Sequence, residues 1–119
     1  MAEELRVDAE PSEEAGRAGV QALFAKGVDF DAVFATSDLT ALGAMRALHE
    51  AGRHIPDDVA IVGFDDIAAA RLSEPSLTTI SQDPRQAGEA LVETLVARIE
   101  GGEPGSLLLP VKLIVRASS

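Results

Sequence analysis

The stretch Val59-Ala60-Ile61-Val62-Gly63-Phe64-Asp65-Asp66 decides how this chain folds. Its four opening residues are all apolar and three are β-branched, so they do not alternate between a core face and a wet face. Such a run suits a strand covered on both sides, as in a parallel sheet whose crossover helices lie against it. Pro56-Asp57-Asp58 supplies a turn before it, and two acids end it. Upstream, Ala32-Val33-Phe34-Ala35, bounded by Asp31 and Thr36, repeats the pattern and reads as another strand buried on both faces. Between the two, Ser37 or Asp38 caps a helix whose broad apolar face is Leu42, Ala44, Met45 and Leu48, and Gly52 closes it. Strand, helix and strand in that order argue a parallel α/β sheet.

Working outward, Leu5 and Val7 alternate with polar neighbours and suit a short strand. Pro11-Ser12 then opens a helix with Glu13 and Glu14 in its first turn, where the helix dipole favours negative charge. Val20, Leu23 and Phe24 give that helix its apolar face, and Gly27 can end it in the left-handed conformation. Downstream, residues 68–72 form a short helix and Leu77-Thr78-Thr79-Ile80 an extended segment ending near Gln82. Asp83-Pro84-Arg85-Gln86 combines a cap, a proline at the first helical position and a Gln three residues past the cap. That helix runs to about Glu100 with Ala87, Leu91, Leu95 and Ile99 on one stripe, until Gly101-Gly102-Glu103-Pro104-Gly105 breaks it. Residues 107–116 form a final strand.

A chain of 119 residues is one domain or a piece of one. Twenty acidic against ten basic residues give a net charge of −10, which repels nucleic-acid phosphates unless the basic residues cluster, and in sequence they do not. There is no cysteine, so disulfides and thiolate metal sites are excluded. The first ten residues lack the pattern of a secretion signal, and no apolar run reaches the ~20 residues of a membrane helix. A cytoplasmic protein is the simplest expectation.

Ligands of an open parallel sheet bind beyond the carboxyl ends of its strands, which directs attention to Thr36-Ser37-Asp38 and Phe64-Asp65-Asp66. An ionised Asp65 could accept hydrogen bonds from sugar hydroxyls or the N–H groups of a base, with the Ser37 hydroxyl on the neighbouring strand. A turn in which Asp65 is merely solvated is an equal alternative, and Asp38 and Asp66 are expected to cap helices. Adjacent acids also invite an acid/base pair or a magnesium site, but a positioned second group for the first and a suitably placed lysine for the second are missing. His49 and His54, five residues apart and without a third ligand, make a poor metal site. No phosphate loop, nucleophile elbow or dinucleotide fingerprint is present. No enzyme activity, metal or cofactor is therefore expected.

The order of segments resembles the effector domain of LacI/GalR-type bacterial transcription regulators. The resemblance rests on SD-x-x-A-x-G from Ser37 to Gly43, G-x-x-I-P-D-D-V-A-I-V-G-F-D-D from Gly52 to Asp66, P-x-L-T-T-I from Pro75 to Ile80, and L-P-V-K-L-I-V-R from Leu109 to Arg116. It implies a partial three-layer, Rossmann-like, periplasmic-binding-protein-like lobe. Residues 1–82 would be a C-terminal sensor lobe without its first βα unit, residues 83–102 a helix that belongs to the other lobe, and residues 103–119 the closing strand. It further implies a small-molecule effector, a sugar or related metabolite, bound by Asp65, Ser37 and, more weakly, Gln82. Pro11 stands where an aromatic residue commonly stacks on the effector, and Pro84 follows Gln82-Asp83, which puts ring stacking in doubt. Leu39, Met45, Ala69 and Leu72 would face a homodimer partner or else form ordinary core. DNA would be reached only through a head domain absent from this chain. A transport binding protein and an oligomerisation module remain alternatives.

Overall fold

The computed structural model describes residues 3–119. Helices α1 (Glu13–Ala25), α2 (Asp38–Glu50), α3 (Ala68–Leu72) and α4 (Pro84–Ile99) alternate with strands β1 (Ala32–Phe34), β2 (Ala60–Phe64), β3 (Thr78–Gln82) and β4 (Val111–Ile114). The sheet order is β1-β2-β3-β4. β1, β2 and β3 run parallel, and β4 is antiparallel to β3, with Gln82 opposite Val111 and Thr79 opposite Ile114. This is the α/β, mostly parallel sheet expected, with its last strand reversed.

Each helix start follows from its residues. Ser12 and Ser37 cap α1 and α2 by accepting from the amides of Ala15 (3.1 Å) and Thr40 (3.2 Å). Asp83 caps α4 by accepting from Arg85 and Gln86 N–H, with Pro84 at the first helical position. Gly27 and Gly52 stand at φ +68° and +72° just past α1 and α2. The core collects Val20 of α1, Ala41, Ala44, Met45 and Leu48 of α2, Ile61 of β2 and Leu77 before β3.

Two expectations fail at the amino-terminal edge. Residues 3–5 form a 3-10 turn and no strand follows, because no neighbouring strand offers Leu5 and Val7 a ladder. β1 is not covered on both faces: it is the edge of the sheet, and Phe34 is 60% exposed. Between β1 and residues 5–9 opens a cavity of about 570 Å³, floored by Gly16, Gly19, Val20 and Leu23 of α1. Residues 1 and 2, where the first proposed segment begins, lie outside the described residues.

At the other end, α4 buries none of its residues, and Leu91, Leu95 and Ile99 are all exposed. The carboxyl-terminal residues, by contrast, are knitted into the sheet. Ser118 is fully buried; its hydroxyl donates to Ile61 O (2.7 Å) and accepts from Thr78 N–H (2.8 Å), and its carbonyl accepts from Ile61 N–H (2.8 Å). It fills the gap before β2 and β3 begin to pair at Val62 and Thr78.

α1 and α2 cross on a pair of glycines. A Cβ at Gly16 would lie 2.0 Å from the Thr40 carbonyl oxygen, and one at Gly43 1.8 Å from that of Glu13. Both obstacles are backbone, so the helices would have to separate. Helix propensity alone favours alanine over glycine by about 1 kcal/mol. Here the clash dominates, since overpacking costs roughly 1–3 kcal/mol or more. Gly43→Ala is therefore expected to lower unfolding free energy by roughly 2 kcal/mol or more, measured by urea denaturation, whereas a gain would show that the contact is slack.

Candidate functional site

Because β1, β2 and β3 are neighbours and parallel, their carboxyl ends lie along one edge of the sheet. Ser37, Asp65 and Gln82 are placed at or just past those ends. The structure joins two of the three: Gln82 Nε2 donates to Asp65 Oδ1 at 3.1 Å, and both residues are exposed. Ser37 is turned into its own helix. Its hydroxyl accepts from Thr40 N–H and pairs with Thr40 Oγ1 at 2.9 Å, and the residue is only 8% exposed.

Asp65 and Asp66 stand at φ +109° and +53°, consecutive non-glycine residues in a region that costs roughly 1–3 kcal/mol each. Surrounding bonds hold them there. Asp65 N–H donates to Ile80 O (2.9 Å), Asp66 N–H reaches Thr79 Oγ1 (3.4 Å), and Arg116 Nη2 donates to the Asp66 carboxylate. Asp66 is thus not the helix cap that the sequence predicts; Ile67 holds that position at α3 without any side-chain hydrogen bond. A partner with a long cationic side chain outcompeted the local amides.

Asp38 also departs from the capping role, which Ser37 takes. Asp38 is fully buried: its Oδ1 accepts from Thr79 Oγ1 at 2.6 Å and its Oδ2 from Ile67 N–H at 2.9 Å. Gly63 makes the space, since a Cβ there would sit 2.2 Å from Asp38 Oδ1. This carboxylate ties the start of α2 to β3 and to the backbone just after Asp66.

The exposed groups at this edge are suited to hydrogen bonding. An exposed carboxylate beside a primary amide offers acceptors and donors to hydroxyls or N–H groups. Among the described residues no three His, Asp or Glu side chains converge as metal ligands. The large cavity lies beside β1 rather than over Asp65, and its lining is mostly apolar backbone-edge and helix surface. Of the residues expected at a dimer surface, Met45 sits in the core at 6% exposure, while Leu39, Ala69 and Leu72 are exposed, Leu72 at 85%. Sequence reasoning missed Arg116 and Thr79. Arg116 lies 50 residues from Asp66, and no local spacing connects them.

The chain matches the family model of a periplasmic binding protein-like domain over residues 2–119. It is 42% identical over 107 residues to the HTH-type transcriptional regulator CelR of Thermobifida fusca, an alignment covering 88% of this chain and 32% of that protein. With the lactose operon repressor of Rhizobium radiobacter it shares 38% identity over 107 residues, 89% of this chain and 95% of that one. The solved transcriptional regulator CelR–cellobiose complex superposes on all of this chain with a TM-score of 0.92 at 38% identity, using 37% of its own length. The chain therefore spans about a third of the first of these relatives, and the relatives are regulators of transcription rather than enzymes.

Arg116, first by its hydrogen bond and then by its charge, holds the Asp66 carboxyl below the usual carboxylate range; burial opposes this, and Arg71 and the Ser81 hydroxyl add to it. A lowered folded-state value means that the ionised form stabilises the fold above the ordinary aspartate range of about pH 4, and that this is lost as pH falls through the lowered value. The stability gap between the unaltered chain and Asp66→Asn should accordingly be constant near neutrality and shrink below about pH 4. Urea unfolding across pH 2.5–7 measures it, and a gap that persists undiminished in acid would contradict the pairing.

Proposed function

The chain belongs to the periplasmic binding protein-like domain family as it occurs in LacI/GalR-type transcription regulators, and from that we propose that it is a sugar-sensing portion of such a regulator. In this reading a sugar or related metabolite is held at the strand ends by the Asp65 carboxylate with Gln82 beside it; the Ser37 hydroxyl, engaged by Thr40, would contribute only on leaving its helix cap. The observation that carries the proposal is Asp65 itself. It is exposed, bonded by the Gln82 amide and kept in a strained backbone conformation at the carboxyl end of β2, and strain of that kind collects at ligand sites. The match to a regulator solved with cellobiose supports a sugar as the ligand class.

Effector binding in the intact protein would shift a conformational equilibrium that sets DNA affinity, which needs parts beyond these 119 residues. The proposed division follows: residues 1–82 and 103–119 as the sensor lobe, residues 83–102 as a helix serving a second lobe, and a homodimer whose contacts include Leu39, Ala69 and Leu72. A cytoplasmic location accords with that role, and among the described residues no helix is long and apolar enough to cross a membrane.

A second reading, an oligomerisation module, is favoured by one observation: α4 exposes Leu91, Val92, Leu95, Val96 and Ile99. Light scattering across a hundredfold concentration range separates it, since a monomer throughout leaves that reading without support.

Titrating the ¹⁵N-labelled chain with cellobiose and lactose tests the main proposal. One wall of a cleft gives weak binding, with Kd about 1 mM or weaker, and the shifts should cluster at residues 64–67 and Gln82 and vanish in Asp65→Asn. Shifts elsewhere, or none at 50-fold this concentration, would overturn it. With a charge of −10, the chain should not shift operator DNA in a gel at low salt.

A further inference from the structure

The Asp65-Asp66 turn is tied to both sides of the β3–β4 pair from which the α4 excursion departs. Asp65 is bonded by Gln82, the last residue of β3 before α4 begins. Asp66 is bonded by Arg116, two residues after β4 ends. Arg116 is fixed at two points besides: its backbone N–H donates to Thr78 Oγ1 (2.8 Å) and its Nη1 donates to Leu77 O (2.8 Å), and its side chain is only 13% exposed. The Asp66 side chain is 16% exposed. This is a guanidinium forked between a carbonyl at the start of β3 and a carboxylate beyond the end of β2, an arrangement that a lysine point charge cannot reproduce.

The geometry points to Arg116 as a positioning residue for the effector site: by holding the Asp66 carboxylate it keeps the turn in its left-handed conformation and so aims the Asp65 carboxylate toward Gln82 and toward a ligand. The aiming does not involve contact with the ligand. Asp65 follows a strand whose end would continue in extended conformation without a tether, and the tether on its carboxyl side is Asp66. The backbone on either side is held by Asp65 N–H on Ile80 O (2.9 Å) and Ile67 N–H on Asp38 Oδ2 (2.9 Å); at Asp66 itself the Thr79 hydroxyl bond is long, at 3.4 Å, which leaves Arg116 as the strong restraint on that residue. This inference rests on Asp65 being an effector ligand, as proposed above, but its first readout is independent of any ligand.

Five forms of the chain decide it: unaltered, Arg116→Gln, Arg116→Lys, Asp66→Asn and the double variant Arg116→Gln with Asp66→Asn. Asparagine tolerates the left-handed region as well as aspartate does, so Asp66→Asn removes the charge without altering backbone preference. In ¹H–¹⁵N spectra, Arg116→Gln and Asp66→Asn should each displace the Asp65 and Asp66 amide signals and the Gln82 side-chain amide, leaving Val20 and Leu48 in place. The double variant should add nothing to either single one, and Arg116→Lys should restore only part of the shift. Cellobiose affinity should fall at least fivefold in both charge-removing variants. Unmoved Asp65 and Gln82 signals would overturn the inference, as would core signals moving together with them, which marks a general structural role. Should Arg116→Gln fail to fold, Asp66→Asn alone carries the same test. If the Asp65 and Gln82 signals follow Arg116 while the unaltered chain ignores cellobiose, positioning stands and the sugar reading of the site falls.

Discussion

The buried carboxylate of Asp38 is the point on which the arrangement of this sheet edge depends. It has no solvent, so both of its oxygens must be satisfied from within, and the donors it uses belong to two other segments. Thr79 brings β3 to it, Ile67 brings the backbone leaving the Asp65-Asp66 turn, and Gly63 of β2 steps back to admit it. Its place in the first turn of α2 puts the negative group where the helix dipole favours it. One side chain therefore fixes the relative positions of α2, β2, β3 and the start of α3. Apolar packing brings these elements together without direction, and the carboxylate gives their contact a single geometry.

The turn bearing Asp65 inherits its stability from this network rather than from its own residues. Two consecutive positive-φ aspartates are unfavourable in isolation. They persist because the backbone on one side is bonded to Ile80, the backbone on the other side to Asp38, and the Asp66 side chain to Arg116. Asp65 itself is left with one side-chain partner, the Gln82 amide, in an exposed contact. Rigid surroundings with one adaptable contact are what a binding position requires.

Much of this was legible in the sequence where local chemistry decides. Ser12, Ser37, Asp83-Pro84 and the glycines at 27 and 52 mark helix ends through bonds made within a few residues, and the apolar runs around Val33 and Ile61 mark parallel strands. The same reasoning erred wherever a distant partner intervened. Asp38 and Asp66 have the composition of caps, but Thr79 and Arg116, 41 and 50 residues away, claim them. Val33 and Phe34 have the composition of a central strand, yet β1 is an edge because coverage is a property of neighbours that the run itself cannot encode. Of the three site residues, Asp65 and Gln82 meet through β2–β3 pairing, while Ser37 is drawn away by Thr40 three residues along.

The pairing of Gln82 with Val111 has a consequence for how the molecule can vary. Residues 83–110 leave the sheet and return to it at adjacent points of one antiparallel ladder, so whatever lies between them is topologically an insertion. Closing a loop costs an entropy that grows only with the logarithm of its length, and α4 gives the core no buried side chain. The excursion can thus be lengthened, shortened or exchanged with little change in the stability of the sheet that carries it. Selection on the sheet and selection on the excursion are separable, and the two can drift at different rates within one gene.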